Sequence, residues 1–297
     1  MKTSFGDYIA TDFYAVVQAH RAITEMGDPQ KVSAILLDGP PGTGKTFLAR
    51  TISRFLDAEL IHFQFFPGCG RSDLMWDISV GRDGKTRDDG VILRALRKSR
   101  EKKTVLLLDE LDKAAVEVDS FLLNFLNEGH LYVQGEGLLE VGRSNLIVCI
   151  TKNDQRDASH ALIRRCRTVL MDWPNIKTET AIMKSVVPVL TDEACKVLLE
   201  IPARLRRNPE VRKAPSTPEI CRTAGDLLEL VKAGCNAEVI GVYYISCLCP
   251  LPQDRKWVEK SPAYVGLAVQ EALAPLVEKV DISHSAFSDI LFKTLPK

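Results

Sequence analysis

The chain has 297 residues, a length that points to about two domains, because single cores stop growing at roughly 250–300 residues. Apolar residues make up 45% and charged residues 26%, which excludes a disordered, collagen-like or disulfide-scaffold chain. Lys plus Arg number 39 and Asp plus Glu also 39, so no whole-chain field favours nucleic acid or an anionic membrane.

The apolar runs at 105–108 and 146–150 are far shorter than the ~20 residues that span a bilayer, and no membrane crossing is expected. Asp7 and Asp12 interrupt the N-terminal stretch where a secretory leader would be apolar. The expectation is a cytoplasmic protein. Eight cysteines are scattered without a C-x-x-C pair or histidines at metal spacing, and they read as reduced core thiols.

In chain order, apolar spacing over residues 8–26 predicts an opening helix, stopped by Gly27-Asp28-Pro29. Residues 33–38 are apolar on both faces, as a buried parallel strand is. A glycine-rich stretch follows at once, then a helix at 44–56, a strand at 59–65 and a helix at 91–100. Further strands are predicted at 104–108, 146–150 and 167–171, with a helix at 116–127. Five buried strands with crossover helices mean an α/β layered sheet. The segment HLYVQGEGLLEV, with Gly135-Glu136-Gly137 at its centre, predicts an inserted β-hairpin over 130–141. After Trp173-Pro174 only helical periodicities remain.

Three stretches carry chemistry. Residues 39–46 read GPPGTGKT between a strand and a helix, a phosphate-binding loop. Gly39, Pro40, Pro41, Gly42, Thr43 and Gly44 let backbone amides curl around phosphates at a helix N-terminus. Lys45 supplies a point charge, and Thr46 offers its hydroxyl to magnesium. Residues 105–110 read VLLLDE: Asp109 is placed to hold the Mg2+ shell with Thr46, and Glu110 to activate a water. That second acid favours hydrolysis over transfer to a bound acceptor. The fourth core strand ends in ITKND, which places polar Thr151 and Asn153 at the same sheet edge, where Asn153 either orients the water or simply forms an Asn-Asp turn. Finally, ALIRRCR puts Arg164 and Arg165 where one of them reaches a neighbouring subunit's γ-phosphate, or else both are solvated surface.

Over roughly residues 5–235 these motifs resemble an AAA+ ATPase. Within that class GPPGTGKT, GVILRALRKS before VLLLDE, LDKA after it, FLLNFLNEGHLYV and RTVLMDWPNIKTE resemble the MoxR family in order and spacing. QFFPGCGRSDLMWD is similar to the CoxD-like branch. The resemblance implies a P-loop AAA+ core with a five-stranded parallel sheet and inserted β-hairpin at 1–173, an α-helical lid at 174–235 and a short helical C-terminal extension at 236–297. It makes Lys45 and Thr46 the Walker A pair, Asp109 and Glu110 the Walker B pair, Asn153 sensor 1, and Arg165 the arginine finger with Arg164 as alternate. The sensor 2 arginine is missing: Pro218-Glu219 stand there, and either one of Arg212, Lys213 and Arg222 substitutes or all three belong to a solvated basic stretch continuing Arg204, Arg206 and Arg207. Phe65-Phe66-Pro67-Gly68 and the hairpin either face a ring pore or, for the two rings, finish the core. Tyr8 to Thr11 and the lid are expected walls for adenine.

The function implied is ATP and Mg2+ binding at interfaces of a homo-oligomeric ring, a hexamer, with hydrolysis used to remodel a protein client such as a von Willebrand factor A domain protein. The alternative is an ATP-gated binding module with little turnover. A third reading, a nucleic-acid-dependent motor, rests only on basic runs such as 94–103, which are equally a solvated helix end.

Overall fold

The computed structural model describes residues 4–5, 8–9, 13–81, 84–153, 155–258 and 260–279. Two compact units divide at Met1–Pro174 and Asn175–Lys297. In the first, strands β1 (Ser4–Phe5) and β2 (Tyr8–Ile9) pair antiparallel ahead of helix α1 (Phe13–Thr24). The helix therefore starts later than its apolar periodicity predicts, because Tyr8 and Ile9 are extended and paired.

The core elements follow as β3 (Ser33–Asp38), α2 (Lys45–Leu56), β4 (Glu59–Gln64), α3 (Arg71–Met75), the hairpin β5 (Trp76–Gly81) and β6 (Gly84–Asp89), α4 (Val91–Glu101), β7 (Thr104–Asp109), α5 (Glu117–Glu128), the hairpin β8 (His130–Val133) and β9 (Gly137–Glu140), β10 (Leu146–Lys152), α6 (His160–Arg165) and β11 (Arg167–Leu170). Five strands form one parallel sheet in the order β11-β3-β10-β7-β4. The fold is the expected AAA+ P-loop α/β core with its β8–β9 hairpin, followed by a helical region. The β5–β6 hairpin is an addition that the sequence reading does not contain.

Strand geometry explains why these runs are apolar throughout. Side chains alternate between faces: Leu36, Leu106 and Val148 enter one buried cluster with α4 and α5, while Ile35, Leu107 and Cys149 enter a second with α1 and α2. Both faces are dry, so the sequence shows no polar alternation. Because all five strands run the same way, their C-terminal ends share one edge of the sheet. The registers place Lys152 beside Asp38 and Gln64 beside Asp109 there.

The second unit holds α7 (Ile176–Val186), α8 (Asp192–Arg207), α9 (Thr217–Lys232), α10 (Ala237–Leu248) and α11 (Pro262–Leu273). One buried cluster runs from Met183 to Leu276, so the helices after residue 236 share the core of those before it. Gly241 and Gly266 let α10 and α11 touch backbone to backbone: a Cβ on Gly241 would lie 1.7 Å from the Pro262 carbonyl oxygen. Inside the unit, buried Arg206 grips Glu179 with two hydrogen bonds of 2.8 and 2.9 Å, and the Thr217 hydroxyl donates to the same carboxylate at 2.7 Å. A buried ion pair of this kind needs every remaining lone pair satisfied, which the third donor achieves. Among the described residues no helix is long and apolar enough to cross a membrane. All eight cysteines are free thiols, five of them buried.

Candidate functional site

The phosphate-binding loop leaves β3 at Gly39, whose φ is 148°. A Cβ there would sit 1.9 Å from the Met171 carbonyl oxygen, so glycine is required where the loop passes the residue after β11. Gly44 caps α2 in a left-handed conformation, φ 94°, with no side-chain cap, which leaves the first-turn amides of α2 for an anion. Buried Lys45 donates from Nζ to the carbonyls of Gly39 and Pro40, both at 2.7 Å. Its charge thus sits inside the curl of the loop.

The hydroxyl of Thr46 lies 3.0 and 3.1 Å from the two carboxylate oxygens of Asp109, bringing the first turn of α2 onto the end of β7. Thr151 fixes that carboxylate from the neighbouring strand. Its hydroxyl donates to Asp109 Oδ1 at 2.5 Å and accepts the Glu110 amide at 2.9 Å. His62 Nε2 approaches Asp109 Oδ2 at 3.4 Å from the other side. For Mg2+ the donor set fits: one carboxylate and one hydroxyl are hard oxygen ligands, and this ion keeps waters and takes phosphate oxygens for the rest of its octahedron. Among the described residues no cluster of three or more His, Cys, Asp or Glu offers an all-protein cage. Thr46 and Asp109 would hold the ion, which would neutralise charge on the bound phosphates. Thr151→Val removes the hydroxyl that orients Asp109. The expected result is a rise of about 10- to 100-fold in the Mg2+ concentration that half-saturates ATP turnover, read from a magnesium titration at fixed ATP.

Glu110 occupies left-handed backbone, φ 62°, ψ 51°, a conformation that costs a non-glycine residue about 1–3 kcal/mol and persists where surroundings fix it. The amide bond to Thr151 supplies one constraint. Gln64 Nε2 and Lys113 Nζ supply two more, each donating to Glu110 Oε2 at 2.6 Å. Burial pushes the Glu110 carboxyl up, but the bonds from Lys113 and Gln64 outweigh it and hold it below its ordinary value. The group is an ionised carboxylate at neutral pH, able to take a proton from a water.

The backbone N–H of Asn153 donates to buried Asp112 Oδ1 at 2.9 Å, which fixes the chain at the end of β10. Lys152, also buried, pairs with Asp38 at 2.8 Å and ties this strand end to the start of the phosphate loop. The structure therefore brings Lys45, Thr46, Asp109, Glu110 and Asn153 to one sheet edge. Asp154, the second residue of the Asn-Asp pair, lies outside the described residues.

Arg164 and Arg165 are not at that edge. They end α6 just before β11, whose first residue pairs with Ile35 near the start of β3. Arg165 Nη2 lies by the Gln30 carbonyl ahead of β3, so the six residues of that strand, about 20 Å, separate it from its own phosphate loop, and any contact it makes with a γ-phosphate is with another copy's nucleotide. Arg164 is exposed. Arg165 donates from Nη2 to the Leu126 carbonyl at 2.8 Å, at the C-terminal end of α5 where a cation is favoured.

The remaining sequence candidates divide. Phe65 is buried in the core whereas Phe66 is 48% exposed, so the two rings have separate roles. In the hairpin, Tyr132 and Leu138 face outward. The basic run is laced with acids: Arg97 bonds Asp89 and Glu136, Lys98 pairs with Glu101, and Lys102 with Glu59, which leaves little of it to meet nucleic acid. Lys213, a substitute for sensor 2, pairs with Glu219 at 3.0 Å. Of the residues expected to wall the adenine, Ala10 and Thr11 lie outside the described ones.

Gln64, Lys113, Asp112, Lys152 and His62 surround the site without appearing among the sequence candidates. Thr151 stands at the sheet edge where the sequence places it: an offset of 42 aligns Leu146 with Thr104 and so Thr151 with Asp109. Strand register would have found Gln64 in the same way from the pairing of Glu59 with Thr104.

The family model described as "AAA domain (dynein-related subfamily)" matches residues 34–166. Heat shock protein hsp98 of Neurospora crassa is 33% identical over 136 residues, covering 43% of this chain and 14% of that protein. Lon protease of Methanosarcina barkeri is 25% identical over 206 residues, 61% of this chain and 25% of the protease. A solved structure titled as closed-state Hsp104 with ATPγS and FITC-casein superposes with a TM-score of 0.49 at 19% identity, covering 61% of this chain and 36% of that one. The chain spans a quarter or less of the two curated relatives. The region that matches the AAA domain model contains the phosphate loop, both strand-end carboxylates, Asn153 and both arginines, carried on the AAA+ P-loop fold.

Proposed function

We propose that the chain is a MoxR-type AAA+ ATPase, of the CoxD-like branch, that hydrolyses Mg-ATP at the interfaces of a homo-oligomeric ring, a hexamer, and uses the cycle to remodel a protein client. The observation that carries hydrolysis is Glu110, an ionised carboxylate fixed by Lys113 and Gln64 one residue beyond the carboxylate that meets Thr46. Lys45 and the loop amides bind the phosphates, Thr46 and Asp109 hold Mg2+, Glu110 takes the proton of the attacking water, and Asn153 orients that water. Arg165, with Arg164 as alternate, contacts the neighbour's γ-phosphate. That contact is head-to-tail, and head-to-tail contacts close into rings. The MoxR placement rests on the motif order given above, and a von Willebrand factor A domain client follows from that resemblance. Free thiols throughout suit a reducing compartment, in keeping with the cytoplasm.

A second reading has its own observation. Lys113 and Gln64 both hold Glu110 Oε2, which suits a nucleotide-gated switch whose base is restrained until a partner releases it. Light scattering of the purified chain with and without ATP, run beside a turnover assay, tests both. ATP-dependent assembly with steady turnover supports the remodelling ATPase. A chain that binds ATP without assembling or turning over would overturn it in favour of the switch.

A further inference from the structure

On the edge of the sheet opposite the phosphate loop, a polar groove of about 720 Å³ is walled by Asp28, Lys31, Glu128, Arg143 and Arg165. Two of its cations are incompletely paired. Arg143 Nη2 donates to the Glu128 carbonyl at 2.5 Å and Arg165 Nη2 to the Leu126 carbonyl, yet Arg143 Nη1 and Arg165 Nε are buried N–H groups with no acceptor. A buried donor without an acceptor costs free energy. Of the groove's other charges, Lys31 pairs with Glu25 at 3.0 Å, and Asp28, whose Oδ1 accepts the Gln30 amide at 2.8 Å, attracts Arg165 more than Arg143 repels it. Gly129 keeps Arg143 in place, since a Cβ there would lie 2.7 Å from its Cζ. An oxyanion entering this groove gives both orphaned donors an acceptor once the guanidinium planes turn toward it. Planar forks of this kind suit phosphoryl oxygens.

We infer that Arg143 is a second cation acting alongside Arg165, and that their groove receives the phosphoryl oxygens of the nucleotide bound by the neighbouring copy. The inference rests on the ring reading proposed above. Arg143 stands in the loop between β9 and β10, far from its own phosphate loop for the same reason as Arg165: Leu146, which opens β10, pairs with Thr104 at the start of β7. It is the part of the site that no motif announces.

The test uses the full chain carrying Arg143→Gln. Affinity for a fluorescent ATP analogue should be unchanged, because the variant's own phosphate loop is intact, while turnover falls about 10- to 100-fold, the worth of a charge-assisted hydrogen bond. Mixing it with Glu110→Gln subunits should restore turnover at interfaces where Glu110 comes from one copy and Arg143 from the other. A merely structural role would lower the melting temperature and give no such rescue. Turnover within twofold of wild type would overturn the proposal. So would lost turnover that Glu110→Gln subunits cannot rescue while they do rescue Arg165→Ala. If neither arginine variant is rescued, the trans arrangement itself fails. Titration of the Lys45→Ala chain with tripolyphosphate distinguishes the source of the phosphate: binding that Arg143→Gln abolishes would overturn the neighbour's nucleotide as ligand in favour of a free anion.

Discussion

Replacing Glu110 with glutamine is expected to cut ATP turnover by about 10²- to 10⁴-fold, the usual contribution of a positioned general base, while leaving nucleotide binding at its wild-type level. The amide has the shape of the carboxylate and still accepts from Lys113 and Gln64, which hold Oε2 at 2.6 Å. It leaves untouched the loop around Lys45 and the Thr46–Asp109 contact. What disappears is the ionised oxygen that takes a proton from water. The measurement is steady-state phosphate release beside equilibrium binding of an ATP analogue. Because hydrolysis is removed and binding kept, the variant should also accumulate in its ATP-bound assembly, visible as a larger mass in ATP. Normal turnover by Glu110→Gln would remove Glu110 from the mechanism and leave Asn153 and Gln64 without a role. Lost binding instead would mean that the left-handed backbone at residue 110 supports the phosphate loop as well as the chemistry.

The parts of this protein legible in its sequence are those where a single strand or loop carries the information. The core strands are apolar on both faces because helices cover both, and GPPGTGKT and VLLLDE each announce themselves within a few residues. The hairpin at residues 130–140 was legible from Leu131, Val133 and Leu139, whose buried side alternates. The β5–β6 hairpin was not, because only β5 alternates, with Trp76, Ile78 and Val80, while β6 reads GKTRDD and offers no apolar residue opposite them; backbone pairing runs from Trp76–Asp89 to Gly81–Gly84. Most of what surrounds Glu110 was hidden for a different reason. Gln64 and Lys152 reach the site from neighbouring strands, and only strand order and register bring positions so far apart in the chain together. Lys113 stood in plain view three residues on, but a lysine after a Walker B strand reads as surface until its ammonium is found on the carboxylate.

Arg165→Ala is expected to lower turnover by about 10³-fold or more, the range of arginines that act on another subunit's transferring phosphate, with nucleotide affinity preserved. The geometry favours Arg165 over Arg164 for this role. One end of its guanidinium is pinned on the Leu126 carbonyl at 2.8 Å, and its Nε is among the donors left without an acceptor. A guanidinium held at one end is pre-organised, so less side-chain entropy is lost when the other face meets a phosphate. Arg164, one position along α6, is exposed and would have to be ordered from solvent. The pinned end also gives Arg165 a structural share, since it links the end of α5 to the segment before β3 through the Leu126 and Gln30 carbonyls. Three readouts separate the shares. Loss of the structural link appears as a lower melting temperature, which Arg165→Lys should reproduce in part because a lysine cannot serve the carbonyl and a phosphate together. Loss of the trans contact appears as turnover that returns when Arg165→Ala is mixed with Glu110→Gln. The same mixing with Arg164→Ala is the comparison, and a larger, rescuable loss there would transfer the finger to Arg164 and leave Arg165 as the residue that positions it.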